Sequence, residues 1–292
     1  MRDLAYATVS PAQVLDLWLP PDATATDAVP LVVLIHGGGF RRGDKANEVE
    51  LVAPLLAAGY AVASVDYRLS DEARFPAAVQ DVKAAIRFLR ANAATYGLDP
   101  ARFAVWGRSA GGYLAAMVGA TGDQASLFDD PALGHPAVSS GVLAVIDMSG
   151  PSDMTRMDAQ AFADPPPACA GRTTVHDSPD STESRFLGVA LPAAGALATT
   201  ADPATWLTTA HRLPAFVLVT GDADCRVPMG QSLLLHAAIR AAGGSSRLVV
   251  VAGAGHNDPR VVKAVTPVAL RVLAEVFAAP LPAASGVPAG PR

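Results

Sequence analysis

Ser109 stands in Gly107-Arg108-Ser109-Ala110-Gly111, a G-x-S-x-G spacing between a short apolar run and an alanine-rich stretch that reads as a helix. A serine on so sharp a strand-to-helix turn has its hydroxyl held out over the end of a sheet, and the flanking glycines avoid collisions with the neighbouring chain. The helix N-terminus behind it favours developing negative charge. That is the setting of a nucleophile, although a Gly/Ser-rich turn that only joins two elements has the same composition. A second segment, His36-Gly37-Gly38-Gly39-Phe40, follows the apolar run Leu31–Ile35. Its successive glycines leave backbone N–H groups bare, as an oxyanion site requires, and Gly38, Gly39 and Ala110 are the expected donors. A phosphate cradle would need a Lys followed by Ser or Thr, and none follows. His36 itself is expected to orient the loop through its ring.

A nucleophilic serine needs a base and a group to orient that base. His256 lies in the Gly-rich loop after the last apolar strand, Leu248–Val251, with Asp258 and Pro259 positioned as the cap and first residue of a closing helix. Of the other histidines, His236 falls within a helical pattern, and His135, His176 and His211 have no strand in front of them. Two acids, Asp222 and Asp224, share the loop after the strand Ala215–Thr220, and Asp147 and Asp153 follow the preceding strand as more distant candidates. The two loop aspartates are too close in sequence for both to reach one imidazole.

The elements that must position these groups alternate. Strand-like runs at 31–35, 61–65, 103–106, 142–146, 215–220 and 248–251 are separated by helical stretches. One of these, Phe75 to Ala94, carries Val79, Val82, Ile86 and Leu89 at helical spacing. Such alternation predicts an α/β fold with a mostly parallel central sheet and helices on both faces. Residues 150 to 210, rich in Pro, Ala, Thr, Asp and Ser, interrupt the rhythm.

With these motifs together the chain resembles the α/β-hydrolase superfamily, and within it the HGGG-type esterases of the hormone-sensitive-lipase-like and bacterial feruloyl/acetyl-esterase-like group. The resemblance runs from Tyr6 and Leu15–Pro20 through His36–Phe40, Asp66–Leu69, Phe75-Pro76 and the elbow. It continues through Ser178-Pro179-Asp180 and Ser184–Gly188 to Gly221–Pro228 and Gly253–His256. It implies Ser109, Asp224 and His256 as the catalytic set, Asp224 being the fourth residue of the G-x-x-D-x-x-V-P loop. It also implies a lid at about 150–210, after the sixth core strand, within a single domain over 1–279. From that lid Phe162, Phe186, Leu187, Leu191 and Trp206 are expected to line a substrate pocket together with Phe40. Arg108 departs from the acidic residue often found at its position, and Asn257 from the Gly or aromatic residue often found at its own.

The implied activity is hydrolysis of small or short-acyl carboxylic esters through an acyl-enzyme, with no metal and no cofactor. An arylformamidase or other amidase using the same residues is the alternative, followed by a non-catalytic small-molecule binding protein. At 292 residues and 51% hydrophobic composition the chain can form one large core. The net charge of −5 argues against a nucleic acid or an anionic membrane as partner. Oligomeric state stays open, a homodimer among the options. Two cysteines, Cys169 and Cys225, suggest neither a disulfide framework nor a zinc site, and Cys225 is expected to pack. The first residues lack a signal-peptide pattern, no run is long enough to cross a bilayer, and the cytoplasm is the default location. Residues 280 to 292, dominated by Pro, Ala and Gly, read as a tail without catalytic duty.

Overall fold

Eight strands form one sheet in the order β1-β2-β4-β3-β5-β6-β7-β8 in a computed structural model of the chain. They are β1 Leu4–Ala5, β2 Val14–Trp18, β3 Val29–Ile35, β4 Ala61–Val65, β5 Leu98–Arg108, β6 Ala144–Met148, β7 Ala215–Gly221 and β8 Ser246–Val251. β2 pairs antiparallel with both β1 and β4, and every other neighbouring pair is parallel. The structure describes all residues except 22, 24–27, 164, 167, 168, 170–173 and 281–292. The expected tail lies almost wholly outside the described residues.

Both faces of the sheet are covered, and the strand sequences show why. Successive side chains of a strand point to opposite faces, so a strand buried on both sides must be apolar throughout. Leu31, Val33 and Ile35 of β3 enter one core while Val32 and Leu34 enter the other. Phe103 and Val105 of β5 are likewise separated from Ala104 and Trp106. Helices α1 (Val52–Ala57) and α9 (Pro259–Ala278) close one face, burying residues such as Leu55, Val265 and Leu273. Helices α2 (Ala77–Ala91), α4 (Ala110–Thr121) and α8 (Met229–Ala241) close the other, with the short α3 (Ala93–Tyr96) following α2. The four apolar positions picked out by spacing in α2, Val79, Val82, Ile86 and Leu89, are all fully buried. The helix begins after Pro76, two residues later than its periodicity suggests, because the missing proline N–H fits a cap better than a helix interior.

Between β6 and β7 the described residues make only short helical pieces, including α5 (Met157–Gln160), α6 (Thr182–Leu187) and α7 (Ala196–Ala201). This is the stretch whose composition broke the strand-and-helix rhythm. Among the described residues no helix is long and apolar enough to cross a membrane. The expectation for the cysteines is corrected: Cys169 of this stretch and Cys225 of the loop after β7 form a disulfide, with Cα atoms 5.6 Å apart. Separated by 56 residues, they gave no local spacing signal, and only the fold brings them together.

Candidate active site

Parallel strands deliver their C-terminal ends to one edge of the sheet, and the loops leaving β3, β5, β7 and β8 meet there. Ser109 bridges the end of β5 and the start of α4 with φ 55° and ψ −121°. Non-glycine residues avoid this left-handed region, so packing must hold it there. The Ser109 N–H donates to Met148 O at 2.7 Å, and the glycines make the crowding tolerable. A Cβ on Gly107 would lie 2.0 Å from Gly111 O, and one on Gly111 would lie 2.1 Å from Ile35 O.

The Ser109 hydroxyl donates to His256 Nε2 at 2.9 Å, and His256 Nδ1–H donates to Asp224 Oδ2 at 2.7 Å. The second Asp224 oxygen, Oδ1, accepts from Arg226 N at 2.9 Å and Val227 N at 3.0 Å. This buried carboxylate is therefore held by its own loop and aimed at the imidazole. Asp222 does a different job, accepting from Gly253 N at 2.6 Å and tying the acid loop to the histidine loop. Gly221 allows the same approach, since a Cβ there would lie 2.0 Å from Ala254 O. Asp147 and Asp153 do not reach His256. Asp258 caps α9 through Arg260 N, and Pro259 opens the helix.

Gly38 and Gly39 adopt φ of 118° and 60°, conformations that L side chains rarely enter. The loop they form is pinned from below. His36 Nδ1–H donates to Gly37 O at 2.7 Å, its ring stacks on Tyr67 at 4.3 Å, and Tyr67 OH donates to His36 O at 2.9 Å. Burial holds the His36 imidazole below its ordinary pKa, so the ring stays neutral and acts as a structural donor. Ala110 is the first residue of α4, where its N–H has no partner within the helix.

A cavity of about 710 Å³ opens over Ser109. Its walls include Gly37 to Gly43, Ala110, Val227, His256 and Asn257, and also Arg108, Glu48, His176 and Glu183. Phe40 belongs to this wall, but the five apolar residues expected from the lid do not. Phe186 stacks on Phe40 at 3.9 Å within the core, and Leu187 and Leu191 are buried beside it. Trp206 turns its ring edge to Phe128 and donates its indole N–H to Thr200 O, while Phe162 is exposed. Apolar side chains of this stretch go to the core because burial there removes them from water. Among its described residues, this stretch gives the cavity Pro151, Thr174, His176 and the polar first turn of α6, Thr182 and Glu183.

Two features of the site had no clear motif. The Glu183 carboxylate lies 3.1 Å from His176 Nδ1, both side chains being buried. Arg108, unexplained in the sequence, forms ion pairs with Glu48, at 3.1 Å, and with Glu50. Glu48 and Gly37 both line the cavity, so this carboxylate stands between the elbow and the glycine loop. Burial pushes the Glu48 carboxyl up to about 7 despite the pull of Arg108. The only advance signal was an arginine in an elbow position that elsewhere favours an acid.

The family model described as BD-FAE matches residues 15–239. The chain belongs to the BD-FAE family. Among curated proteins, this BD-FAE chain is 28% identical over 249 residues to Esterase LipC of Mycobacterium tuberculosis, covering 85% of the chain and 57% of that protein. It spans about half the length of that protein and of Esterase LipQ, where the share is 53%. Among solved structures it resembles a truncated carbohydrate esterase from gut microbiota, at 28% identity and a TM-score of 0.81, covering 94% of this chain and 95% of that one. It also resembles a bifunctional GH43-CE protein of Bacteroides eggerthii, at 30% identity and a TM-score of 0.78, covering 94% of this chain and 38% of that one. The α/β-hydrolase fold expected from the motifs is thus the fold of this BD-FAE chain.

Proposed function

We propose that the protein is a serine carboxylic-ester hydrolase for short-acyl esters, working through an acyl-enzyme on Ser109. The observation that carries this is the unbroken hydrogen-bonded chain from Asp224 through His256 to Ser109 under a glycine loop. His256 Nε2 takes the hydroxyl proton as Ser109 Oγ attacks the ester carbonyl, and Asp224 stabilises the imidazolium through Nδ1–H. The tetrahedral oxyanion is met by the N–H groups of Gly38, Gly39 and Ala110. Collapse breaks the C–O bond to the alcohol, which leaves with the proton from His256. Water, deprotonated by the same nitrogen, then attacks the acyl-enzyme and returns the serine.

Phe40, Pro151 and Val227 offer the acyl group the apolar part of the wall, while the polar part suits a hydrated alcohol portion. The names of the esterase relatives support the same class of bond. The Cys169–Cys225 disulfide favours an oxidising compartment over the cytoplasm, where thiols are kept reduced.

Ser109→Ala is expected to lower hydrolysis of a para-nitrophenyl acetate substrate by at least ~10³-fold with the far-ultraviolet circular dichroism spectrum unchanged. Full activity in that variant would overturn the assignment. Labelling of the wild type by a fluorophosphonate, absent in the variant, gives the same answer without turnover.

A further inference from the structure

Among the described residues, four arginines and two glutamates line the cavity over Ser109, in a chain whose net charge is −5. The positive mouth is therefore a property of the fold, not of composition. Arg108 pairs with Glu48 and Glu50, and Glu183 lies beside His176 and accepts from the Thr182 hydroxyl. Arg41, Arg42 and Arg226 are not accounted for: none makes a side-chain hydrogen bond or an ion pair with a described residue. Arg41 Nε is buried and without a hydrogen-bond partner. On its far side Arg41 borders a groove carrying Asp44, Asp66, Asp71 and Glu72, yet it pairs with none of them.

The three side chains come from two directions. Arg41 and Arg42 leave the loop after β3, and Arg226 leaves the loop after β7, and these strands lie on opposite sides of β5. Their loops thus flank the serine at the end of β5. Arg42 is packed close to the glycine loop, since a Cβ on Gly38 would lie 3.2 Å from Arg42 Cγ. Like charges gathered at one mouth repel when the site is empty, and an anion between them relieves that repulsion. A guanidinium also offers paired donors that match a carboxylate.

Resting on the ester-hydrolase reading, we infer that the cavity selects esters whose leaving alcohol carries a carboxylate, held at the mouth by Arg41, Arg42 and Arg226. The exposed positions of Arg42 and Arg226 put this recognition on the alcohol side, away from the buried Phe40. The cationic mouth also steers an anionic ester toward Ser109, an effect that salt screens.

The test compares two acetyl esters, of para-hydroxybenzoate and of its neutral near-isostere para-hydroxybenzamide, on the full-length chain. The readout is the ratio of their kcat/KM values. In the Arg42→Gln/Arg226→Gln double variant this ratio is expected to fall about tenfold or more, chiefly through KM of the anionic ester. The Arg42→Lys/Arg226→Lys variant should recover most of it. Raising sodium chloride to about 0.5 M should lower the wild-type ratio and leave that of the Gln variant nearly flat. A ratio within twofold of wild type in the Gln variant, with both esters still cleaved, overturns the charge selection while the ester-hydrolase reading stands. Absence of acetyl release from either ester by the wild type overturns both.

Discussion

Asp222 and Asp224 show how two identical side chains two residues apart acquire different work. Asp224 points Oδ2 at His256 and has Oδ1 occupied by two backbone N–H groups, whereas Asp222 spans to Gly253. Asp224→Asn keeps the shape but puts an amide where the proposed mechanism uses a carboxylate to stabilise the imidazolium, so kcat on para-nitrophenyl acetate should drop about 10⁴-fold. Asp222→Asn should lose only a small fraction of that, because its oxygen can still accept from Gly253. Similar losses in the two variants would refute this division of roles. Asp147 offers a second residue-level test. Its side chain is buried in the end of β6, accepts from Gly150 N at 2.7 Å, and has its other oxygen unpartnered. Burial raises its carboxyl to about 7, against the pull of the Gly150 N–H. The unfolded chain would release that proton near ~4, so the stability it contributes is full below that pH and is lost as pH rises through about 7. Asp147→Asn removes the loss, and its melting temperature should gain on the wild type between pH 5 and pH 8. A gap that stays constant across this range would exclude Asp147 as the titrating group.

At the scale of elements, a pair of side chains reaches from the elbow toward the glycine loop. Arg108 leaves the end of β5, Glu48 precedes the turn into α1, and Glu48 lines the cavity together with Gly37. If this latch fixes the distance between Ser109 and the proposed oxyanion donors, Glu48→Gln should lower kcat by up to about 10²-fold with KM little changed. Arg108→Met in that background should then add much less than it does alone, since the two residues act as one unit. Additive losses in the double-variant cycle would show the pair to be independent of the loop. This element-level link explains Arg108, for which the elbow pattern alone gave no role. Short-range patterns did mark β3, β4, β7 and β8 closely and placed Asp258 and Pro259 at the start of α9, because apolar runs and helix caps are local signals. The span from β6 to β7 was legible only as an interruption. Its apolar residues could face a cavity or a core with equal local chemistry, and Phe186, Leu187 and Leu191 went to the core.

Across the whole molecule, the Cys169–Cys225 bond ties the irregular stretch between β6 and β7 to the residue next to Asp224. Closing a loop of 56 residues restricts the unfolded chain, a contribution of roughly 2–4 kcal/mol. Cys169→Ser should therefore lower the melting temperature by on the order of 5–15 °C relative to the oxidised wild type. Reductant should bring the wild type down to the same value. Equal melting temperatures in all three samples would mean that the bond is not formed.

The sequence alone determined the α/β architecture, the serine elbow, the glycine loop and the histidine loop, because each is a short run whose residue types answer to local backbone constraints. The tertiary structure decided which aspartate faces His256, what Arg108 grips, where the cysteines meet and which side chains wall the cavity. Those outcomes depend on loops from β3, β5, β7 and β8 converging at one sheet edge. Contacts among residues so far apart in the chain are fixed by packing, on which local spacing is silent.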